Sequence, residues 1–306
     1  MSSCVGPILW HYTSQNAIHA ILSEEKFRLT HIADLADQSE LLFGIEKVCE
    51  AATDIAGTDP NISVALSSSV QKLEGIRRHL AKKDTNNNRN NGRNGLMEKY
   101  ILSFTTNGDS RHHWENFCSP KGGAIGFDKN NLEHWINETQ ENPNNPMAHF
   151  YFDECLYVNK EGISNSICKE IHRIVERLKT DSITKDYFKE TEDNGTNYNQ
   201  MQISFPLQSD LLELAIRIKQ KEFCEEQEYR VIVNNSNYKS FEIKDCSIKK
   251  QCIKLSPMDL SIKNLVSHII LSPNTTDEDK TSLRCLINKK RLNVDIQRSC
   301  CSDINQ

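Results

Sequence analysis

The stretch Phe223-Cys-Glu-Glu-Gln-Glu-Tyr-Arg-Val-Ile-Val233 decides the fold class of this chain. Its second half alternates charged and apolar residues with a period of two, which predicts a β-strand over about 226–234. On such a strand Glu226, Glu228 and Arg230 share one face, with the two carboxylates about 7 Å apart. At that separation two carboxylates can take different protonation states or roles, and Arg230 can keep one of them ionised. The pattern also fits a solvated edge strand with salt bridges.

Strand and helix patterns continue on both sides of this stretch. After it, the sequence predicts strands near 238–243, 251–256 and 265–272, a helix near 276–289 and a strand at 292–297. Before it, strands are expected at 100–105, 123–127 and 150–158, behind helical patterns that begin near residues 14, 37 and 62. Helical patterns around 167–178 and 211–218 predict a helical insertion over about 160–220. We therefore expect one α+β domain over residues 1–306, with no convincing linker inside it.

Composition excludes several classes of protein. The 306 residues carry 37 Lys and Arg against 42 Asp and Glu, and the net charge of -5 weighs against nonspecific coating of nucleic acid. No run of about 18 apolar residues could span a membrane, and residues 1–7 lack the basic and apolar regions of a secretory signal. These features predict a cytoplasmic protein that contacts no membrane.

The cysteines and histidines show no metal-binding spacing. The eleven cysteines are odd in number and include no Cys-x-x-Cys pair, and the ten histidines include no His-Glu-x-x-His motif. We therefore expect free thiols and no metal ion. Residues 84–95 are rich in Asn with nothing apolar to bury, which predicts a disordered loop that could be shortened without changing the thermal midpoint.

A second candidate site is Trp10-His-Tyr-Thr-Ser14, at the junction between a strand and the first helix. His11, Tyr12 and Thr13 stand beside a helix N-terminus, which favours an anionic ligand such as a pyrophosphate. The structural alternative is a Thr that caps the helix, a packed Trp, and a His that only bonds to the backbone.

A third candidate site combines Ser103 and Thr105 with the downstream segment His112-His-Trp114 and Phe117. Hydroxyl groups on one strand face can hold a ligand, and an aromatic ring can stack on a planar group. The alternative is a half-buried strand face followed by an aromatic anchor beneath a loop.

Several blocks occur in an order that resembles the bacterial DUF2971 family. In chain order they are His11-Tyr-Thr-Ser14, Leu35-Ala-Asp-Gln-Ser-Glu40, Ser103-Phe-Thr105 followed by Trp114, Gly122-Gly-Ala-Ile-Gly-Phe127, the segment 223–230, and Ile269-Ile-Leu-Ser-Pro273. The resemblance covers most of the chain outside the Asn-rich loop and residues 130–220.

The layout of these blocks is similar to ADP-ribosyltransferase folds, and this similarity implies a central split or mixed sheet, with NAD as the substrate. It implies that His11 holds a ribose hydroxyl, with Tyr12 and Thr13 near the adenosine or nicotinamide half. Ser103 and Thr105 would occupy the middle strand, Trp114 or Phe117 would stack on nicotinamide, and Arg230 would lie in the same site. Glu228 would be the catalytic carboxylate, with Glu226 as its partner.

The implied activity is transfer of ADP-ribose to a macromolecule, a protein or a nucleic acid, as in a toxin, effector or defence protein. Cleavage of the nicotinamide–ribose bond forms an oxocarbenium-like centre, which a nearby carboxylate stabilises without a metal. The use of both His11 and Glu228 requires the two side chains to face one pocket. Two alternatives remain open: a non-catalytic module that binds a ligand or partner, and a metal-independent nuclease or hydrolase that uses His11 or His113 with Glu228.

Overall fold

The computed structural model describes residues 6–60, 62–81, 99–118, 120–140, 149–182, 184–185, 197–234, 241–245, 248–255 and 262–301. Within these ranges the chain is a mixed α/β protein with a large mixed sheet and several helices, which confirms the expected fold class at this level. The Asn-rich stretch 84–95 lies outside the described residues, so its disorder stays a prediction.

The strands and helices have the following bounds. The strands are β1 (Ile8–Thr13), β2 (Phe27–His31), β3 (Lys99–Thr105), β4 (Gly123–Asp128), β5 (His149–Glu154), β6 (Leu156–Val158), β7 (Ile218–Gln220), β8 (Glu228–Asn234), β9 (Phe241–Asp245), β10 (Ile248–Leu255), β11 (Val266–Leu271) and β12 (Asp295–Arg298). The helices are α1 (Gln15–Glu24), α2 (Gln38–Thr58), α3 (Ser63–Ala81), α4 (Arg111–Phe117), α5 (Lys129–Gln140), α6 (Asn165–Thr180), α7 (Asn197–Arg217), α8 (Ile262–Leu265) and α9 (Asp277–Lys290). None of the described helices is long and apolar enough to cross a membrane.

Backbone contacts divide the chain into two compact units. Unit 1 contains residues 1–31, 98–154 and 226–306, and unit 2 contains residues 32–97 and 155–225. The helical insertion expected at 160–220 falls within unit 2. The single domain over residues 1–306 that we expect from the sequence stays a prediction.

Unit 1 is built on a ten-stranded mixed sheet centred on β3. The order is β12-β11-β4-β1-β3-β2-β10-β9, and β8 pairs with β3 on one side and β5 on the other. Strand β8 runs along the whole of β3, whereas β1 meets β3 at Trp10↔Thr105 and β2 meets it at Thr30↔Ile101. Because β8 occupies one edge of β3, β1 and β2 share the other edge, one at each end. The two strands separate from each other along this edge, and we call the place where they separate the strand divergence.

Each face of this sheet carries its own hydrophobic cluster. On the α1 face, Ile18 of α1 packs with Leu9 of β1 and Phe104 of β3. On the α4 face, Trp114 of α4 packs with Tyr12 of β1. Because side chains alternate along a strand, consecutive residues of β1 project to opposite faces.

Helix α1 connects β1 to β2 and so borders the strand divergence. It begins where the Ser14 hydroxyl accepts a hydrogen bond from the Ala17 amide at 3.2 Å, so Ser14 rather than Thr13 caps the helix. It ends at Glu25, whose φ of 55° is left-handed and whose amide donates to the Ile21 carbonyl. The short connections on both sides keep β1, α1 and β2 close together.

The charged stretch 223–233 differs from its expected form at its beginning. Residues Lys221–Glu226 form a 3-10 helix, Gln227 has a φ of 43°, and β8 begins only at Glu228. The prediction that Glu226 shares a strand face with Glu228 is therefore wrong, because the left-handed residue between them interrupts the alternation. The edge-strand interpretation is also wrong, since β8 lies between β3 and β5.

Unit 2 consists of the packed helices α2, α3, α6 and α7 with the parallel strand pair β6 and β7. Helices α2 and α7 approach closely at Gly44, where an added Cβ would lie 2.0 Å from the Ala215 carbonyl oxygen. Helix α7 starts upstream of the helix predicted at 211–218 and contains Pro206. Buried Ile203 and Leu207 extend its apolar side across the proline, so packing maintains the helix there.

Candidate functional site

Glu228 and Arg230 form a buried ion pair on β8. Arg230 Nε donates to Glu228 Oε1 at 2.6 Å, and Arg230 Nη2 donates to Glu228 Oε2 at 2.9 Å. Glu228 and Arg230 are only 7% and 5% exposed. Such bidentate, charge-assisted contacts hold both groups in one orientation. The register places Thr105 opposite Glu228 and Ser103 opposite Arg230 on β3.

Glu226 is fixed through its backbone at the same end of the sheet. Its carbonyl oxygen accepts a hydrogen bond from Thr105 Oγ1 at 2.7 Å and lies 3.2 Å from His113 Nε2. Glu226 as a whole is 7% exposed although it precedes the strand. The two carboxylates expected from the sequence are therefore both buried near Thr105, but they are presented by different local structures.

Tyr12 is the centre of an aromatic cluster on the α4 face. Its ring stacks on His113 with 5.0 Å between centroids and meets Trp114 edge-on at 4.7 Å. Its hydroxyl donates to the Asn107 carbonyl and accepts from the Ser110 amide. Burial is the main cause that raises the pKa of Tyr12 far above its usual value, so the phenol stays protonated. These contacts indicate that Tyr12 anchors the loop before α4.

Phe117 and Trp114 differ in how far their rings are exposed to a ligand. Phe117 is 47% exposed at the rim of the aromatic cluster, whereas Trp114 is 2% exposed. The Trp114 indole donates to Asp109 Oδ1 at 2.7 Å, and Asp109 Oδ2 also accepts from the Cys300 amide. Phe117 is therefore the more accessible of the two rings that were expected to stack on nicotinamide.

His11 projects to the α1 face with one ring nitrogen already committed. Its Nδ1 lies 2.9 Å from the Ser103 carbonyl oxygen, so Nδ1 must carry the proton and donate. Burial lowers the pKa of His11 below its usual 6.5 and outweighs the opposite effect of this hydrogen bond. The ring is therefore neutral at pH 7, and Nε2 is a hydrogen-bond acceptor.

A cavity of about 230 Å³ opens beside His11 at the strand divergence. Its walls come from β1, α1, the connection between α1 and β2, and β2, with one residue of β3. The polar lining residues are His11, Thr13, Glu24, Lys26, Arg28 and Thr30, and the apolar ones are Ala17, Ala20, Ile21 and Leu102. The cavity thus combines a neutral acceptor, two hydroxyl groups, two cationic side chains and one carboxylate.

The structure divides the expected site residues between the two faces of the sheet. The α4 face carries Tyr12, Ser103, Thr105, Trp114, Glu228 and Arg230. His11 and Thr13 line the cavity instead. The prediction that His11 and Glu228 face one pocket is wrong, because Trp10 is the β1 residue beside Thr105 and Glu228, and His11 alternates with it.

Three charged residues of the cavity were not expected from the sequence. Lys26 and Arg28 are polar positions that alternate with buried Phe27 in the run into β2, and Glu24 is on the last turn of α1. The alternation was visible in the sequence. What was missing is the pairing of β2 with the end of β3, which places these residues around the same cavity as His11.

Among the described residues, no group of three or more His, Cys, Asp or Glu side chains could hold a metal ion.

The fold and the cavity define a mixed α/β protein with a polar pocket between two parting strands. The model of the DUF2971 family, described as a protein of unknown function, matches residues 113–231, less than half of the chain. This match supports the family resemblance and covers the segment from α4 to β8, including Glu228 and Arg230. No curated protein and no solved structure matches the chain.

Proposed function

We propose that the protein binds NAD, and that the cavity at the strand divergence receives the ADP-ribose part of this ligand. The observation that carries the proposal is the state of His11. Its Nδ1–H is committed to the Ser103 carbonyl, and its Nε2 acceptor belongs to a residue that lines the cavity. A ribose hydroxyl is a donor of the kind that this acceptor needs.

The charges of the cavity suit the remainder of such a ligand. Lys26 and Arg28 supply positive charge for a diphosphate, while Ala17 and Ala20 leave room for a sugar ring. A volume of 230 Å³ is below the roughly 300–1,000 Å³ of sites that enclose a drug-sized ligand. The cavity would therefore hold one ribose and the adjoining phosphate, with the rest of NAD outside it.

Isothermal titration of the full chain with NAD and with ADP-ribose tests the proposal. The His11→Asn variant keeps an N–H donor near the Ser103 carbonyl but lacks the Nε2 acceptor, so we expect its affinity to fall about tenfold, the loss of one good hydrogen bond. His134→Asn is the matched control, because His134 is exposed on α5 and is not among the residues that line the cavity. Equal affinities of wild type and His11→Asn would contradict the proposal.

The pH dependence gives a second check of the same proposal. The pKa of His11 lies below 6.5, so the acceptor is present above that pH and is lost only when the ring is protonated at lower pH. We expect NAD affinity to be constant from pH 7 to 8 and to weaken only below pH 6.5. A fall in affinity on going from pH 8 to pH 7 would exclude a neutral His11 as the acceptor.

Transfer of ADP-ribose to a macromolecular acceptor is the second candidate function. It is favoured by the buried Glu228 at the end of β8, with Glu226 near the same end of β3. A fixed carboxylate there could stabilise an oxocarbenium-like ribose. Because His11 lies on the α1 face, NAD would have to pass through the strand divergence, with its nicotinamide end at the α4 face.

Release of nicotinamide from NAD distinguishes the two functions. A transferase releases nicotinamide, and Glu228→Gln lowers the rate per folded molecule by about 10² to 10³, the scale for one key electrostatic group. Glu226→Gln should reduce transfer to the acceptor more than it reduces NAD hydrolysis, because its role would be toward the nucleophile. If NAD binds and no nicotinamide is released, only the binding function is supported.

A further inference from the structure

We infer that unit 2 binds a small zwitterion of the α-amino-acid type in two adjoining cavities at the carboxyl ends of β6 and β7. This inference is independent of the proposed binding of NAD, because every residue that it uses belongs to unit 2. Neither the family resemblance nor the proposed function gives these residues a role.

The two cavities lie where a pair of parallel strands ends. Strands β6 and β7 pair up to Val158 and Gln220, and the chain then continues into the connection to α6 and into the 3-10 helix Lys221–Glu226. Crevices outside the carboxyl ends of parallel strands are common ligand sites in α/β proteins. The smaller cavity, of about 190 Å³, extends to Ser164 and shares three residues with the larger one. The larger cavity, of about 480 Å³, is lined by Asn159, Lys160, Glu161, Gln220, Lys221 and Glu222.

The charges of this lining are balanced, and half of them are already paired. Lys160 Nζ lies 3.2 Å from Glu222 Oε1, so these two side chains neutralise each other. Glu161 and Lys221 line both cavities, and within the described part of the chain neither of them forms an ion pair. A ligand with one negative and one positive group supplies a counter-ion for each. A ligand with a single charge would be attracted by one of these side chains and repelled by the other.

The start of α6 orients such a ligand. The side chain of the N-cap residue Ser164 makes no capping hydrogen bond to this helix of 16 residues, and its hydroxyl lies 2.7 Å from the Ser166 hydroxyl instead. The first turn of α6 also carries no acidic side chain. The positive end of the helix dipole therefore favours a carboxylate beside Ser164 in the smaller cavity, which Lys221 also lines. The ammonium group is then left for Glu161.

Gln220 supplies an independent indication of a ligand. Its side-chain oxygen Oε1 is buried and has no hydrogen-bond partner within the described structure, although the residue lines the larger cavity. A buried acceptor without a partner costs free energy, and few are found in native proteins. An N–H group of the ligand would satisfy this oxygen. L-Glutamine carries both charges and a side-chain amide donor, and is therefore the probe of choice.

The experiment compares three ligands by isothermal titration of the full chain. N-Acetyl-L-glutamine lacks the ammonium group of L-glutamine, and L-glutaminamide lacks its α-carboxylate. Wild type should bind L-glutamine about fivefold more tightly than either analogue, the upper range for an exposed ion pair. Glu161→Gln should abolish the preference over the acetylated ligand alone, and Lys221→Gln the preference over the amide alone.

Glu225→Gln and Lys169→Gln are the matched controls for charge. Glu225 is on the same 3-10 helix as Lys221, and Lys169 is on α6. Both residues are exposed and neither lines the two cavities, yet the substitutions change the net charge equally. Both variants should keep both preferences.

Gln220→Leu separates a role in binding from a role in folding. Because Oε1 has no hydrogen bond to lose, the thermal midpoint measured by circular dichroism should not fall, whereas affinity for L-glutamine should fall about fivefold. Gln38→Leu, also in unit 2, is the control. Gln38 Nε2 donates to the Ile32 and Leu35 carbonyls at 3.1 and 3.3 Å, so this variant should lower the midpoint and keep the affinity.

Each outcome supports or overturns the inference. It is overturned if wild type does not bind L-glutamine or binds the three ligands equally, and the proposed binding of NAD is then unaffected. It is also overturned if Glu161→Gln and Lys221→Gln keep both preferences, or if the control variants lose them to the same extent. A lower midpoint with unchanged affinity in Gln220→Leu would assign that side chain to folding and contradict its role in binding.

Discussion

Replacement of Glu228 by Gln tests whether the buried ion pair with Arg230 maintains unit 1. The substitution is nearly isosteric, but it removes the charge that the guanidinium faces through two hydrogen bonds of 2.6 and 2.9 Å. The amide can accept one of these bonds, and its NH₂ group then points at a donor. Removal of one partner from a buried ion pair is strongly destabilising, so we expect the free energy of unfolding to fall by about 3–5 kcal/mol.

Urea denaturation followed by tryptophan fluorescence measures this effect in the right part of the chain. The three tryptophans of the sequence are Trp10, Trp114 and Trp135, and all of them belong to unit 1. Their emission therefore reports the unfolding of unit 1, whatever unit 2 does at the same urea concentration. The shift in midpoint multiplied by the slope of the transition gives the change in free energy.

Glu154→Gln is the control for this measurement. Glu154 is on the neighbouring strand β5, is exposed, and accepts a hydrogen bond from Tyr229 at 3.1 Å. The same substitution should cost less than about 1 kcal/mol there, because the interactions of an exposed carboxylate are screened by water. A loss below 1 kcal/mol for Glu228→Gln as well would refute the conclusion that the ion pair stabilises the sheet.

Three further predictions concern other parts of the structure. Burial raises the pKa of the Cys118 thiol to about 12, so native protein at pH 8 should resist iodoacetamide at Cys118 while exposed Cys285 reacts, as peptide mass spectrometry would record. Burial acts to raise the pKa of Asp109, but its hydrogen bonds outweigh this and hold the value below 3.8, so Asp109→Asn should cost about 1–2 kcal/mol at pH 7. The difference in free energy of unfolding between wild type and Asp109→Asn should shrink as the pH falls below 3.8 and through the pKa of Asp109 in the folded protein. Urea denaturation at several pH values measures it, and a difference that does not change with pH would contradict the prediction. Gly44→Ala should destabilise unit 2 because its Cβ would meet a backbone oxygen at 2.0 Å, whereas Gly75→Ala, with no atom within 4 Å, should raise the thermal midpoint measured by circular dichroism.

The secondary structure could be predicted from the sequence where local patterns were strong. The alternation in 100–105 and 228–233 corresponds to β3 and β8, and the apolar spacing behind residue 37 corresponds to α2. The beginning of β8 was misplaced by two residues, because the left-handed conformation of Gln227 has no signal such as a glycine.

The arrangement of the candidate site could not be predicted in the same way. Whether His11 and Glu228 share a face depends on which β1 residue lies opposite Thr105, and a shift of one residue reverses the answer. That register is fixed by the packing of Leu9 and Tyr12 into clusters on opposite faces, whose other members come from distant parts of the chain. The charged residues that line the cavity could not be predicted either, because their position depends on the pairing of β2 with β3.

The central position of β3 has a consequence for how the chain folds while it is being synthesised. One edge of β3 is covered by β8, and Thr105 lies 121 residues before Glu226, whose carbonyl it binds. At about 5–20 residues per second, a ribosome needs roughly 6–24 s to make that interval. During this time the edge of β3 that β8 will cover has no partner, although α1 and β2 have already emerged. Nascent chains of this protein should therefore depend on chaperones until the C-terminal third has been made, and a pause in translation between β3 and β8 should increase aggregation.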